Sequence, residues 1–175
     1  MPSPAKAFPL RRVNWRLLLL LGIVVLIIGW VLWIYVQTYV TGGIIDRGSY
    51  LEVDLKAISL FEMDQANATD ESIPRQFRAL DGQRVLLIGE MYQPFFAGDG
   101  EVSKFDLVYS IAKCCVTASP KIQHFVKAAV MPGRRCSTYS GLVKVIGTFH
   151  VGVQKAGGRV SSIYRIDVES VQPWS

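Results

Sequence analysis

Hydrophobic positions fall into two regimes along the chain. The first is continuous: "LLLLLGIVVLIIGWVLWIYV", residues 17–36, holds no charged side chain. About 20 apolar residues in a helix match a hydrocarbon core of ~30 Å. A buried core helix would keep a polar stripe, and this run has none. The second regime alternates with period two, the signature of half-buried strands. Leu51, Val53, Leu55 and Ala57 share one face of a first predicted strand. Val85, Leu87, Gly89 and Met91 share a face of a second, and Phe105, Leu107, Tyr109 and Ile111 of a third. Val126, Ala128 and Val130 follow. In "LVKVIGTFHVGV", Val143, Val145, Gly147, Phe149, Val151 and Val153 alternate with more polar positions, and the last strand carries Val160, Tyr164, Ile166 and Val168.

Turn signals separate these runs at Asp81-Gly82, Gly98-Asp99-Gly100, Pro132-Gly133 and Gly157-Gly158. Five or six short strands with no long amphipathic helix predict an all-β fold. Glycines inside strands, Gly89 and Gly147, mark bulges or tight bends. They favour a small OB-like antiparallel barrel over a flat sandwich. Residues 59–82 are too long for a structureless loop in a compact domain. They predict a short helix near Ile73–Leu80, with Ser72 as N-cap and Pro74 in the first turn. The segment then either lies across a barrel mouth as part of a binding surface or covers it as a plain flap. The resulting organisation is a basic N-terminus at 1–16, a transmembrane helix at 17–36, a tether at 37–49 and a β-barrel domain at 50–175.

Charge adds orientation. Lys6, Arg11, Arg12 and Arg16 precede the apolar run with no acidic residue among them, whereas Asp46, Arg47, Glu52 and Asp54 follow it. Basic flanks stay in the cytoplasm. The β domain is therefore expected outside it, periplasmic or otherwise extracytoplasmic, on a single-pass anchor in the inner (plasma) membrane. The run is longer than a signal-peptide core, ends in Trp33, Tyr35 and Tyr39, and lacks an Ala-x-Ala site, so an uncleaved signal anchor is expected. Thr41-Gly42-Gly43 is the competing cleavage point. The chain carries a formal +5, but the four N-terminal positives are the topology signal and the rest is close to neutral. A near-neutral domain outside the cytoplasm gives no electrostatic reason to bind nucleic acid.

Candidate chemistry centres on "SIAKCCVTASPKIQHF", residues 110–125. Cys114, Cys115, Cys136 and His124 together would make a tetrahedral set for zinc or copper. The spacing lacks the Cys-x-x-Cys of zinc knuckles and redox motifs. A disulfide from Cys114 or Cys115 to Cys136 is the competing reading in an oxidising compartment, and three small buried residues are another. His124 has the parity of inward Val126, and His150 lies opposite Phe149 on the outer side. Arg134-Arg135 reads as a solvated turn or a headgroup contact, and Phe95 and Phe96 as the edge of the core in preference to a partner surface. No nucleophile elbow, zincin motif, P-loop or dinucleotide fingerprint is present.

"LDGQRVLLIGEMYQP", "FDLVY" running into "CC", and "VKVIGTFHVGV" together resemble a family of bacterial, membrane-associated exported domains of unknown function. The resemblance spans roughly residues 50–172. It implies a small OB-fold-like β-barrel beyond the inner membrane, with a hairpin turn at Leu80-Asp81-Gly82. It implies no catalytic residues. The function expected is a non-enzymatic binding or scaffold module with a protein partner in a membrane complex. Metal binding or handling through the cysteine and histidine cluster is the alternative.

Overall fold

The computed structural model describes residues 15–98, 101–112 and 121–174. The chain divides into two compact units, Met1–Val40 and Thr41–Ser175. The first holds all but the last residue of helix α1, Trp15–Thr41. Its stretch Trp15–Ile34 is apolar and unburied, long enough to cross a membrane and equally compatible with a signal sequence. At 1.5 Å per residue the 27-residue helix measures ~40 Å.

The second unit is mostly β sheet. Strand β1, Ile44–Asp46, pairs antiparallel with β2, Leu51–Val53. β2 runs parallel to β3, Arg84–Phe96. β3 then pairs antiparallel with β4, Val102–Val108, and β4 with β5, Val126–Val130. β5 is parallel to β7, Arg159–Pro173, which is antiparallel to β6, Leu142–Ala156. β6 returns to pair antiparallel with β3, so β3, β4, β5, β7 and β6 close into a ring. The Gly157-Gly158 turn between β6 and β7 has positive φ at both residues, as expected for a tight hairpin.

Alternation assigns the faces as the sequence predicted. Val85, Leu87, Phe105, Leu107, Val143, Val145, Phe149 and Ile166 are buried in one cluster. Two strand glycines let backbones meet. A Cβ on Gly89 would lie 2.5 Å from the Val108 carbonyl oxygen, and one on Gly147 would overlap the Asp167 carbonyl. Gly147 also sits at a register shift between β6 and β7, the bulge its position predicted.

Three expectations change. The first predicted strand stops at Val53, because the Asp54 carboxylate accepts from Lys56 N at 2.9 Å and caps helix α2, Leu55–Ser59. The helix predicted near Ile73–Leu80 shrinks to α3, Arg75–Arg78, with Pro74 rather than Ser72 at its N-cap. Ser72 instead accepts from Thr69 N at 3.1 Å, in the capping box of a 3-10 turn, Asp70–Ser72. Leu80-Asp81-Gly82 links α3 to β3 and is not a strand-to-strand hairpin.

The long segment is folded into the core. Ala68, Ile73, Phe77 and Leu80 are buried with the strand residues, as are Leu55 and Ile58 of α2 just before it. Tyr164 donates its buried hydroxyl to Ile58 O at 3.0 Å. Gln123 donates to Phe61 O at 3.1 Å. These anchors lie where β4 ends and β5 begins, so the segment stops that end of the ring. Beyond Phe149, β6 leaves β3. There its amides find carboxylates: Asp81 accepts from Val151 N at 2.9 Å and Asp70 from Val153 N at 2.6 Å. Edge amides that would otherwise seek a strand are thereby satisfied.

Candidate functional site

The sequence-predicted ligands do not assemble among the described residues. Cys114 and Cys115 lie outside them. Cys136 is buried, with its carbonyl accepting from Val102 N at 2.9 Å, at the start of β4. Burial pushes its thiol pKa up, and the Glu101 carboxylate adds to this. His124 stacks edge-on against Tyr109 with ring centroids 6.2 Å apart, beyond the other end of β4. Seven residues of strand separate Val102 from Tyr109, roughly 20 Å. Cys136 and His124 thus stand near opposite ends of β4, and Cys114 and Cys115, the other two members of the expected zinc or copper set, lie outside the described residues. No group of three or more His, Cys, Asp or Glu able to hold a metal occurs among the described residues. Burial and then the Lys121 charge lower the His124 pKa, and its Nδ1 is buried with no hydrogen-bond partner among the described residues.

A different site forms on the outer face of the ring. Strand residues of outward parity from β3, β4, β5 and β7 line a groove of ≈ 540 Å³. β4 supplies Lys104 and Asp106, and β7 supplies Arg165 and Asp167. Between them β5 places Lys127 and the small Ala129, whose missing bulk leaves the depression. Lys104 faces Ala129 across one pair, and Ala129 faces Asp167 across the next.

The rim is made by a break in β3. Gln93 has φ +47°, the left-handed region, and the β3–β4 register shifts between Tyr92 and Phe95. Pro94 cannot donate to a ladder, so the strand bulges there. Past the bulge Phe95 is 67% exposed and Phe96 51%, which overturns their reading as core edge. Phe95 borders the groove.

Charges in the groove are unevenly matched. Lys127 Nζ pairs with Asp106 Oδ2 at 2.8 Å, a direct cross-strand neighbour. Asp167 Oδ2 meets His150 Nε2 at 3.0 Å, and His150 Nδ1 lies 3.9 Å from Asp81. The outer placement of His150 is as its parity predicted. Lys104 and Arg165 make no side-chain ion pair or hydrogen bond among the described residues. Arg84 forks onto Glu169 at 2.7 Å, and that hydrogen bond draws the Glu169 carboxyl below its ordinary range. The Arg134-Arg135 turn is exposed, and Arg135 reaches Glu101 at 3.6 Å.

This fold has a solved counterpart. A DUF3299 family protein from Pseudomonas aeruginosa PAO1 matches with a TM-score of 0.51 at 22% identity, over 73% of this chain and 98% of its own. No protein-family model and no curated protein matches the chain. At that identity the likeness speaks for the fold alone, and it is consistent with a bacterial domain family of unknown function.

Proposed function

We propose that this chain is a membrane-tethered module, held outside the cytoplasm at the inner (plasma) membrane, that works by binding a protein partner rather than by catalysis. The β unit is read as an OB-type barrel. Its ring order β3-β4-β5-β7-β6 corresponds to OB strands one, two, three, five and four, with the parallel pair between the third and fifth. OB barrels bind ligands on the face of their second and third strands. The observation carrying the reading is that the groove, with its unmatched cations and exposed Phe95, lies over those strands, β4 and β5. The apolar α1 with basic residues before it supports the tether and its orientation.

The test is photo-cross-linking in cells producing the full chain. A benzophenone side chain in place of Phe95 is expected to give a discrete protein adduct. The same group in place of Leu60, 73% exposed at the stoppered end, is expected to give none. Equal adducts at both positions, or none at Phe95, would sink the reading.

A further inference from the structure

We infer that the groove takes an acidic, aromatic-bearing peptide segment of the partner, an inference that rests on the binding-module reading above. Three separate features point the same way. The first is unpaired positive charge. Lys104 lies directly across from Ala129 on β4, and Arg165 lies on β7 opposite Lys127 and two residues from Ala129's other neighbour, Asp167; neither Lys104 nor Arg165 has a counter-ion of its own among the described residues. Two inter-strand steps and two residues along β7 put their Cα atoms about 12 Å apart. Two long cationic side chains at that spacing reach over one depression and leave a hole that an incoming carboxylate neutralises.

The second feature is the sign pattern. Lys104 and Asp106 sit two residues apart on β4, and Arg165 and Asp167 do the same on β7. That repeat is ~7 Å, the spacing of same-side side chains on an extended peptide. A polypeptide can set an acid against Lys104 or Arg165 and a neutral or donor group against Asp106 or Asp167. A phosphate polymer carries negative charge at every step, so it would press charge onto both carboxylates. The third feature is the rim. Phe95 and Phe96 are turned to solvent by the Gln93–Pro94 bulge, a backbone conformation that costs free energy to hold. Exposed aromatics beside charged groups are the anchors protein interfaces use. The groove volume, ≈ 540 Å³, suits a few side chains rather than a folded surface.

The experiment pans a random twelve-residue peptide display library over the full chain in phosphatidylcholine nanodiscs, with bare nanodiscs subtracted. Acidic peptides carrying an aromatic residue are expected to be enriched. Their binding should weaken on raising salt, since the contacts are exposed charges. Lys104→Glu with Arg165→Glu should reduce their binding roughly tenfold or more, each 1.4 kcal/mol being tenfold. The same double variant should gain basic peptides, which shows that it is folded. Enrichment of neutral or basic peptides that depends on Phe95 would overturn the acidic assignment and leave the binding module standing. Capture of a twelve-residue oligothymidine, or of phosphatidylglycerol nanodiscs, in place of peptides would overturn the polypeptide occupant. Absence of any enriched peptide overturns this inference alone, because the Phe95 cross-link decides the module reading independently.

Discussion

His124 holds a pH response without needing a ligand. Burial penalises its charged form, with Lys121 adding to this, so its pKa in the folded chain lies below the ordinary histidine value near 6.5. The unfolded chain therefore takes up the proton first as pH falls. Stability is full above about pH 6.5 and declines from there down to the depressed folded value. His124→Phe keeps a ring against Tyr109 and removes the orphaned Nδ1. Denaturant midpoints measured from pH 8 to 5 are expected to lose that decline, with stability at pH 8 unchanged or raised. Gly147 makes the steric counterpart. Any side chain there meets the Asp167 backbone, which no rotamer change relieves. Gly147→Ala is expected to cost about 3 kcal/mol in urea unfolding, the upper end for overpacking. These residues were legible to different degrees. A glycine among valines announces a close approach, whereas nothing in "KIQHF" tells an orphaned histidine from a ligand.

Asp70 and Asp81 decide how the 59–82 segment is held. Each places one carboxylate oxygen on an amide of β6 where β3 no longer covers it. Replacing both by alanine leaves those amides to water and is expected to cost about 1 kcal/mol per bond. Hydrogen exchange should quicken at Val151 and Val153 first, while Val143 and Val145 keep their β3 partners and their protection. The strands themselves could be read from sequence because period-two alternation survives in every ring strand. α2 could not, because Leu51, Val53, Leu55 and Ala57 fit a strand and Asp54 looked like one more polar position. Its capping role was the missed signal. Pro94 was the other, since a proline inside an apolar run marks a bulge and reverses which side the next residues face. The groove escaped for a topological reason. Lys104, Lys127, Ala129 and Arg165 are ordinary outward residues until strand order makes them neighbours.

Across the molecule, stopper and ring share one buried cluster. Phe77 belongs to the stopper, is buried, and meets the Phe61 ring at 6.2 Å between centroids. Truncating Phe77 to alanine is expected to remove about 3–4 kcal/mol. One cooperative transition at a lower midpoint is the expected melt. A separate early transition would show the stopper melting off an intact ring. The all-β character, the N-terminal apolar helix and the bend at Gly147 were open to reading at this scale. Which strands close the ring was not, because the β3–β6 pairing joins distant segments that no local pattern links.

β1 follows α1 after two residues, and among the described residues its only ladder is the three-rung antiparallel pairing with β2. A pull arriving along the chain from residue 43 therefore loads the bond from Asp54 N to the Gly43 carbonyl first, then the Ile44–Val53, Ile45–Glu52 and Asp46–Leu51 rungs one after another. Rungs loaded in sequence give way at low force, whereas the closed ring must break several together. The small hairpin is thus a mechanical fuse. A pull on its N-terminal side would open it first, and the ring with its groove would keep its shape.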